Sequence, residues 1–505
     1  MNIKYRKKYR RKIGGYTHFI AFQTGCRERQ TLHLLVFCWH NTNYMKTITI
    51  IGGGASGALI LINILKYFPD APISIKWIER SGEFGTGTAY STDKDYHLLN
   101  VPANVMGLFH DYANDFFEWL LKKGYTYSEH DYVPRKIFGD YIKENLFSFL
   151  KRNENIYIEL IQAEIIDIEK EVNHYILIQQ NGKRIKSDVV LLCTGNFLPA
   201  NPQLIDMEYT EHPSYFRNPW SNDIHQSIKR TDDILIIGTG LTMVDKMLDL
   251  YHQIHKGKIY AISRNGYLPF THYPCSRHQK YPDYKEELLQ ATSTRELYTI
   301  IRYHIDKGIK SGIDWRVVVD TIRPALPEIW DNLPLKEKKT FFRRVGSIWT
   351  VVRHRIPVIC ADIIHLLKDK KQLSVLAGRL KEIKETENGF IVSYLDKQER
   401  YRKEIVVQKI INCSGPQLNP QNTDSLLLKN LLNKEMICID QLGLGFNALT
   451  DGKLLDKHNN VIPGLYTIGN GLKGILFEST AIPEIRLQAY NLAKELIQQN
   501  VEKIS

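Results

Sequence analysis

One stretch, Thr47 to Glu79, constrains this chain more than any other. It opens TITIIGGGASG and closes ISIKWIE. A strand-length apolar run, Ile48 to Ile51, enters Gly52-x-Gly54-x-x-Gly57. Leu59, Ile60, Ile62, Ile64 and Leu65 follow in a helical pattern, and a second apolar run ends at Glu79. Strand, tight glycine turn, helix, strand and acid together form the dinucleotide-binding fingerprint in its required setting. Gly52 permits the tight turn, Gly54 lets the backbone approach a pyrophosphate, and Gly57 lets helix and strand pack closely. The free N–H groups and positive dipole end of the helix, around Ser56, attract phosphate. Glu79 can accept hydrogen bonds from an adenosine ribose.

A second, altered version begins at Asp233. The run Ile234 to Ile237 enters Gly238-Thr-Gly240-Leu-Thr-Met243, with methionine in place of the third glycine. The helix is expected to run to about His255, and the strand from Lys258 to Ile262. That strand ends at Ser263-Arg264 rather than at an acid. An acid repels a 2′-phosphate and an arginine pairs with one, so this unit reads as a nicotinamide site preferring NADPH over NADH.

Between and beyond these units the chain repeats a plan. Residues 113–124 and 136–152 read as helices, and residues 156–195 alternate as strands. Asn181-Gly182 and Asn388-Gly389 are expected to be hairpin turns, the former of type I′ with two positive-φ residues. Val189 to Gly195 and Lys409 to Gly415 are buried-strand patterns ending in Thr-Gly and Ser-Gly. Prolines 199, 202, 213 and 219 mark a linker, and residues 284–370 are mostly helical. Asp451-Gly452 and Pro463-Gly464 read as loop punctuation. Leu465 to Asn470 is one more strand ending in glycine, and a helix with Pro483 near its start runs to about Gln499. The expected fold is α/β: two Rossmann-like dinucleotide-binding domains with a mostly helical insertion.

Charge and cysteine content narrow the function classes. The formal net charge is +12, but residues 1–44 carry +8 of it, leaving +4 on the other 461 residues. The main body is close to neutral for its size, so no nucleic-acid partner is expected. Residues 1–44 read as an upstream extension, disordered or not native, with Met45 as the natural start. The functional alternative is a basic arm for nucleic acid or an anionic surface. The longest apolar run there, Leu34 to Trp39, is too short to span a membrane. The seven cysteines include no CxxC pair, so neither a zinc site nor a redox-active dithiol is expected, and a reducing, cytoplasmic setting fits.

Two dinucleotide folds in series, closed by Gly464-Leu-Tyr-Thr-Ile-Gly469 and a helix, resemble the two-dinucleotide-binding flavoproteins. More narrowly, the chain resembles the bacterial YdhS-like FAD/NAD(P)-binding family. The matching stretches include FGTGTAYSTDKDYHLLNVPA (84–103), YVPRKIFGDYI (132–142), LIIGTGLTMVD (235–245), SRNGYLP (263–269), DWRVVVDTIRP (314–324), RHRIP (353–357) and FESTAIPEIRLQA (477–489). They span nearly everything from Met45 onward, and Met243 and Ser263-Arg264 look normal for that family. The resemblance implies that residues 45–205 and 425–505 are two parts of one FAD domain. Residues 225–420 would be the inserted NAD(P) domain, with the helical insertion at 284–370. It implies FAD at Gly52, Gly54, Ser56, Gly57, Glu79, Gly195, Gly469 and Asn470, and NADPH at Gly238, Gly240 and Arg264. Many flavoproteins of the wider class carry an acid where this chain has Asn470.

These readings point to an FAD-dependent oxidoreductase, reduced by NADPH and monooxygenase-like, acting on a small molecule. Absence of a cysteine pair removes disulfide reduction, and oxygen is the acceptor that needs no further motif. His97, Asn100, His354 and Arg355 are the candidates for substrate or flavin contacts, and no metal is expected. The alternatives are a flavin-binding partner or redox sensor with little turnover, and a flavoprotein that modifies RNA.

Overall fold

The computed structural model describes residues 45–272 and 279–501, with side chains as far as residue 498. The expectations for residues 1–44, and for Cys26, Cys38 and Cys275, lie outside the described residues. The opening stretch folds as anticipated: β1 (Lys46–Ile51), α1 (Ala55–Tyr67) and β2 (Ile73–Glu79). Next come α2 (Gly87–Tyr90), α3 (Asp115–Lys122), α4 (Arg135–Arg152) and β3 (Tyr157–Gln162). A small antiparallel sheet follows, β4 (Ile165–Lys170), β5 (Tyr175–Gln179) and β6 (Arg184–Ser187), and then β7 (Val189–Leu192).

The proline-marked linker is not purely a loop. It contributes β8 (Tyr215–Phe216) and α5 (Asp223–Ser227) before β9 (Ile234–Ile237), α6 (Leu241–His252) and β10 (Ile259–Ser263). The helical segment comprises α7 (Lys285–Leu289), α8 (Thr294–Lys310), α9 (Trp315–Thr321) and α10 (Leu326–Asn332). It continues through α11 (Leu335–Arg344), α12 (Gly346–Arg353) and α13 (Val358–Asp369). Strands return as β11 (Leu373–Thr386), β12 (Gly389–Asp396), β13 (Arg402–Val407) and β14 (Lys409–Asn412). The chain closes with α14 (Leu426–Asn433), β15 (Lys453–Leu455), β16 (Val461–Thr467), α15 (Lys473–Leu476) and α16 (Ile482–Val501).

Two sheets organise these elements. The first has the order β15-β16-β7-β1-β2-β3, so the late strand β16 returns to pair in parallel with β7. The second has the order β13-β12-β11-β10-β9-β14-β8, with its middle strands parallel. Strands covered on both faces must be apolar on both, which is why β1, β7 and β9 read as continuous apolar runs. Ile48 and Ile50 of β1 join the core with α1, α4 and α16, whereas Ile51 faces the core shared with β4, β5 and α14. In the second sheet, Ile234 and Ile236 pack with α6 and α13. Leu235 and Ile237 pack under Phe390, Val392 and Val407 of the antiparallel strands. The helical segment has its own core around Trp330, Phe341 and Trp349, and Phe477 from the C-terminal part plugs into it.

Three local expectations are corrected. Among the described residues Asn181 and Asn388 are not at positive φ; only Gly182 (φ +82°) and Gly389 (φ +135°) are. The first hairpin is therefore not type I′: the Gly182 N–H bonds the Gln179 carbonyl, and Gly182 takes the left-handed position after a right-handed turn. In the second, Thr386 pairs with Gly389, so Glu387-Asn388 is the turn and the glycine already belongs to the strand. Pro463-Gly464 lies inside β16 rather than in a loop. Proline is tolerated there because the pairing of β16 with β15 is irregular, and the Pro463 carbonyl accepts the Tyr175 hydroxyl at 2.6 Å.

Candidate dinucleotide sites

The two glycine turns have nearly superimposable local chemistry. At the first, Gly52 has φ +113°, and a Cβ on it would lie 2.1 Å from the Cys193 carbonyl oxygen at the end of β7. At the second, Gly238 has φ +106°, and its Cβ would lie 2.3 Å from the Cys413 carbonyl oxygen. The Gly52 N–H bonds the Ile78 carbonyl at 2.9 Å, and the Gly238 N–H bonds the Ile262 carbonyl at 2.7 Å. No L side chain fits either position, so each turn is set by the close passage of the neighbouring strand. Gly54 and Gly240 occupy the N-cap positions of α1 and α6, and neither helix has a side-chain cap. The first-turn N–H groups are therefore left for a ligand or water. Gly240, Gly195 and Gly415 each border open space, with no atom within 4 Å of a built Cβ. These backbone cradles fit a pyrophosphate at each turn.

The first site gathers residues distant in sequence. The Gly53 N–H donates to Glu79 Oε2 at 2.7 Å, and Ser81 donates from both N–H and hydroxyl to Oε1 at 3.0 Å. Glu79 thus ties the turn to the loop after β2. Gly85 N–H bonds the Gly53 carbonyl at 2.7 Å, and a Cβ on Gly87 would lie 3.0 Å from Gly54 Cα. The third glycine, Gly57, has no room for a side chain: a Cβ would meet the Gly52 oxygen at 2.6 Å and Trp77 Nε1 at 2.9 Å. From the C-terminal part, Gly469 (φ +69°) approaches Ser56, whose Oγ would stand 3.1 Å from a Cβ there. The Gly469 N–H donates to Gln488 Oε1 of α16 at 2.9 Å. The Asn470 amide donates to the Gly195 carbonyl at 3.3 Å and to Asn196 Oδ1. Ser56, Gly195, Gly469 and Asn470 therefore converge on one place. Trp77, Gly85, Gly87, Asn196 and Gln488 were missed by the motif; of these, only the glycines of FGTG offered a sequence signal.

At the second site Ser263 stands where the first has Glu79. The Thr239 hydroxyl bonds the Tyr267 carbonyl at 2.6 Å and lies 2.9 Å from Ser263 Oγ. Arg264 is exposed and pairs with no carboxylate among the described residues.

The four candidates for substrate or flavin contact separate into two kinds. His97 is 3% exposed; its Nδ1 lies 2.8 Å from Thr92 Oγ1 and its Nε2 3.0 Å from Asp249 Oδ1 of α6. Lys246 Nζ donates to the other Asp249 oxygen at 2.7 Å, and Arg135 of α4 pairs with Asp245 at 2.6 Å. Lys246 and Arg135 both lie over the Trp220 ring, at 5.0 and 5.8 Å. Burial works to raise the Asp249 pKa, but His97 and Lys246 outweigh it and hold the carboxyl well below the usual range. His97 thus belongs to a buried charged seam between the first sheet's helical layer and α6. Arg355, 4% exposed, is likewise committed: both terminal nitrogens bind Asp320, at 2.8 and 3.0 Å, and Nε binds the Val352 carbonyl.

Asn100 and His354 are only half-buried. The Asn100 carbonyl lies 3.1 Å from His272 Nε2, and His272 stacks on Tyr132 with ring centroids 4.7 Å apart. Burial, helped by Arg355, pushes the His272 pKa down to about 4. Burial also pushes His354 down to about 4, opposed by Glu478 and helped by Arg353, Lys473 and Arg323. His354 is therefore a neutral imidazole near pH 7. Next to Glu478 in sequence, Phe477 sits at φ +62°, ψ −61°, the centre of a γ-turn closed by Glu478 N–H to the Leu476 carbonyl at 2.7 Å. That strained conformation is held by stacking on Trp330 at 4.5 Å, and Glu478 accepts the Trp349 indole N–H at 3.2 Å. Among the described residues no group of acids, histidines and cysteines could hold a metal, and no helix is long and apolar enough to cross a membrane.

Comparison with known proteins agrees with this geometry. Residues 49–197 match the model of a family described as FAD-NAD(P)-binding. No curated protein matches the chain. Among solved structures the chain is similar to the ornithine N-hydroxylase of Kutzneria sp. 744, determined with reduced FAD, NADP+ and L-ornithine. The identity is 11%, over 90% of this chain and 99% of that one, with a TM-score of 0.63. It is similar to the cadaverine monooxygenase of Erwinia amylovora, determined with FAD, at 14% identity over 91% and 96% of the two chains (TM-score 0.62). The L-lysine 6-monooxygenase of Pseudomonas syringae gives 12% identity over 90% and 99%, with a TM-score of 0.61. At these identities the shared property is the fold. The chain is an α/β protein of two Rossmann-like units, the first of which carries an FAD-NAD(P)-binding domain.

Proposed function

We propose that the chain is an FAD-dependent oxidoreductase, reduced by NADPH and monooxygenase-like, that acts on a small molecule. The observation that carries this reading is the matched pair of glycine turns, Gly52 against Cys193 and Gly238 against Cys413, in one chain. Only the first is completed by a returning strand and helix, through Gly469, Asn470 and Gln488. In this reading residues 45–205 and 425–505 hold FAD, and residues 225–420 hold the nicotinamide nucleotide, with the helical insertion at 284–370. The finer resemblance to the YdhS-like family belongs to the same reading.

Bound FAD supplies hydride acceptance and oxygen chemistry. The chain's own residues bind and orient. The free N-terminus of α1, with Gly54 and Ser56, faces the pyrophosphate charge, and Glu79 takes the adenosine ribose. Gly240 and the free N-terminus of α6 do the same for the nicotinamide nucleotide, with Arg264 at its 2′ side. Neutral His354, with Glu478, Arg353, Lys473 and Arg323 as its charged neighbours, is available to hold or pass a proton. The thiols of Cys193 and Cys360 are pushed up to about 12 by burial, which suits packing and not thiolate chemistry. The hydroxylases of similar fold act on ornithine, lysine and cadaverine, so small amines and amino acids are the first substrates to try.

The test is spectroscopic. Purified protein is expected to be yellow, and anaerobic NADPH to bleach it faster than NADH. Reoxidation in air is expected to release peroxide, with less released when a true substrate is present. A flavin that stays oxidised with both nucleotides would sink the relay.

A further inference from the structure

The nicotinamide unit contains a cation that no motif indicated. In the first unit the β2 end carries Glu79, whose carboxylate accepts the Gly53 N–H at 2.7 Å. The matching end of β10 carries Ser263, and Ser263 pairs with Ala377 of β11. The Ala377 carbonyl accepts the backbone N–H of Lys397 at 2.9 Å, which brings the loop after β12 beside the loop after β10. Lys397 then reaches across. Its Nζ donates to Asn265 Oδ1 at 2.8 Å and lies 5.8 Å from the Tyr267 ring centre. Asn265 in turn donates to Ser347 Oγ of α12 at 2.9 Å. Arg264 and Lys397 are both exposed, and neither pairs with a carboxylate among the described residues. The acids adjacent in sequence are occupied: Asp396 and Glu399 both engage Lys403, at 3.4 and 2.7 Å.

We propose that Lys397 is a specificity-determining residue that, with Arg264, recognises the 2′-phosphate of an adenine nucleotide, Asn265 holding its ammonium in place. This rests on the reading of the second unit as a nicotinamide-nucleotide site. The physical basis is charge: a 2′-phosphate brings about two negative charges and three acceptor oxygens. An acid at the ribose position repels it. Here the acid is replaced by the Ser263 hydroxyl, and three segments distant in sequence join Lys397, Asn265 and Ser347 in one hydrogen-bonded chain, with exposed Arg264 next to Asn265 in sequence. Asn265 fixes the lysine's direction, which lowers the cost of ordering a long side chain on binding.

The experiment uses the full FAD-loaded chain and two probes, adenosine 2′,5′-bisphosphate and 5′-AMP, measured by titration calorimetry. Wild type is expected to bind the bisphosphate at least about tenfold more tightly, and Lys397→Met to remove about tenfold of that preference. Lys397→Arg is expected to retain most of it, and Lys397→Glu to reverse it. Equal ratios in wild type and Lys397→Met, or no preference in wild type, would overturn the assignment. Flavin content of each variant checks folding. Anaerobic flavin reduction separates the two readings. Bleaching by NADPH together with an unchanged binding ratio removes Lys397 and leaves the relay. No bleaching by either nucleotide, with the preference still lost in Lys397→Met, removes the relay and leaves the phosphate site.

Discussion

The two glycine-turn units solve one packing problem in opposite ways. In β1–α1–β2 the third motif position is Gly57 and the facing strand carries Trp77, fully buried, whose indole N–H donates to the Gly52 carbonyl at 2.9 Å. In β9–α6–β10 the third position is Met243, also fully buried, and the strand carries Ala261. Pairing registers equate the two places, since Trp77 faces Ile50 and Ala261 faces Ile236, each one residue before the strand's last pair. The bulk has moved from strand to helix. The third glycine is therefore a packing residue whose identity depends on its partner, and Met243 does not weaken the second turn as a binding site.

The helices differ as much as the turns. Helix α1 is buried along nine consecutive residues, and only Asn63 among its buried positions from Ala58 to Leu65 is polar. Helix α6 buries Asp245, Lys246 and Asp249, which meet Arg135 and His97 of the first unit. The first helix serves its own core, while the second also forms a seam with its neighbour.

The largest expected effect comes from breaking that seam. Asp249→Ala leaves Lys246 buried without its partner and is expected to cost about 3–5 kcal/mol, read from denaturant unfolding. Loss of under about 1 kcal/mol would mean the seam is wet and dispensable. Met243→Ala should cost about 2–5 kcal/mol by opening a cavity. Adding Ala261→Met should recover part of it if the volume exchange is real. Gly57→Ala should cost about 1–3 kcal/mol and lower flavin content, because its nearest obstacle is backbone. For the same reason Trp77→Ala should not rescue it fully, and full rescue would show that the tryptophan alone forbids a side chain.

The smallest effect is the pH response. His272 and His354 are held near pKa 4 when folded, below the unfolded value of about 6.5. The unfolded state then binds more protons, so stability is expected to fall as pH drops from about 6.5 to 4. Asp115 works the other way, since burial raises it to about 6 and its contribution grows as pH falls. His272→Asn should flatten the fall in melting temperature over this window, and an unchanged slope would discount the histidine.

Much of the fold was legible because its determinants are local. Gly52 and Gly238 need positive φ, and period and strand-length runs mark β1, α1, β2, β9 and α6. The hairpin turns were less so: Asn-Gly indicated a reversal, but strand register decided that Glu387-Asn388 forms the turn. Of the candidate site, the first unit's glycines, Ser56 and Asn470 are brought together by the return of β16. His97 and Arg355 looked like free polar groups, and their partners, buried Asp249 and exposed Asp320, lie 152 and 35 residues away.

By itself the sequence determined that two strand–turn–helix–strand units exist, and that the second ends in a serine and an arginine where the first ends in an acid. Those are requirements of backbone conformation and charge that a few adjacent residues meet. Only the tertiary structure decided that Met243 is matched by Ala261, that α6 is charged because it faces Arg135 and His97, and that Lys397 reaches Asn265. Each of these depends on register between segments far apart in the chain, and side-chain volume and charge acquire a role only once that register is set.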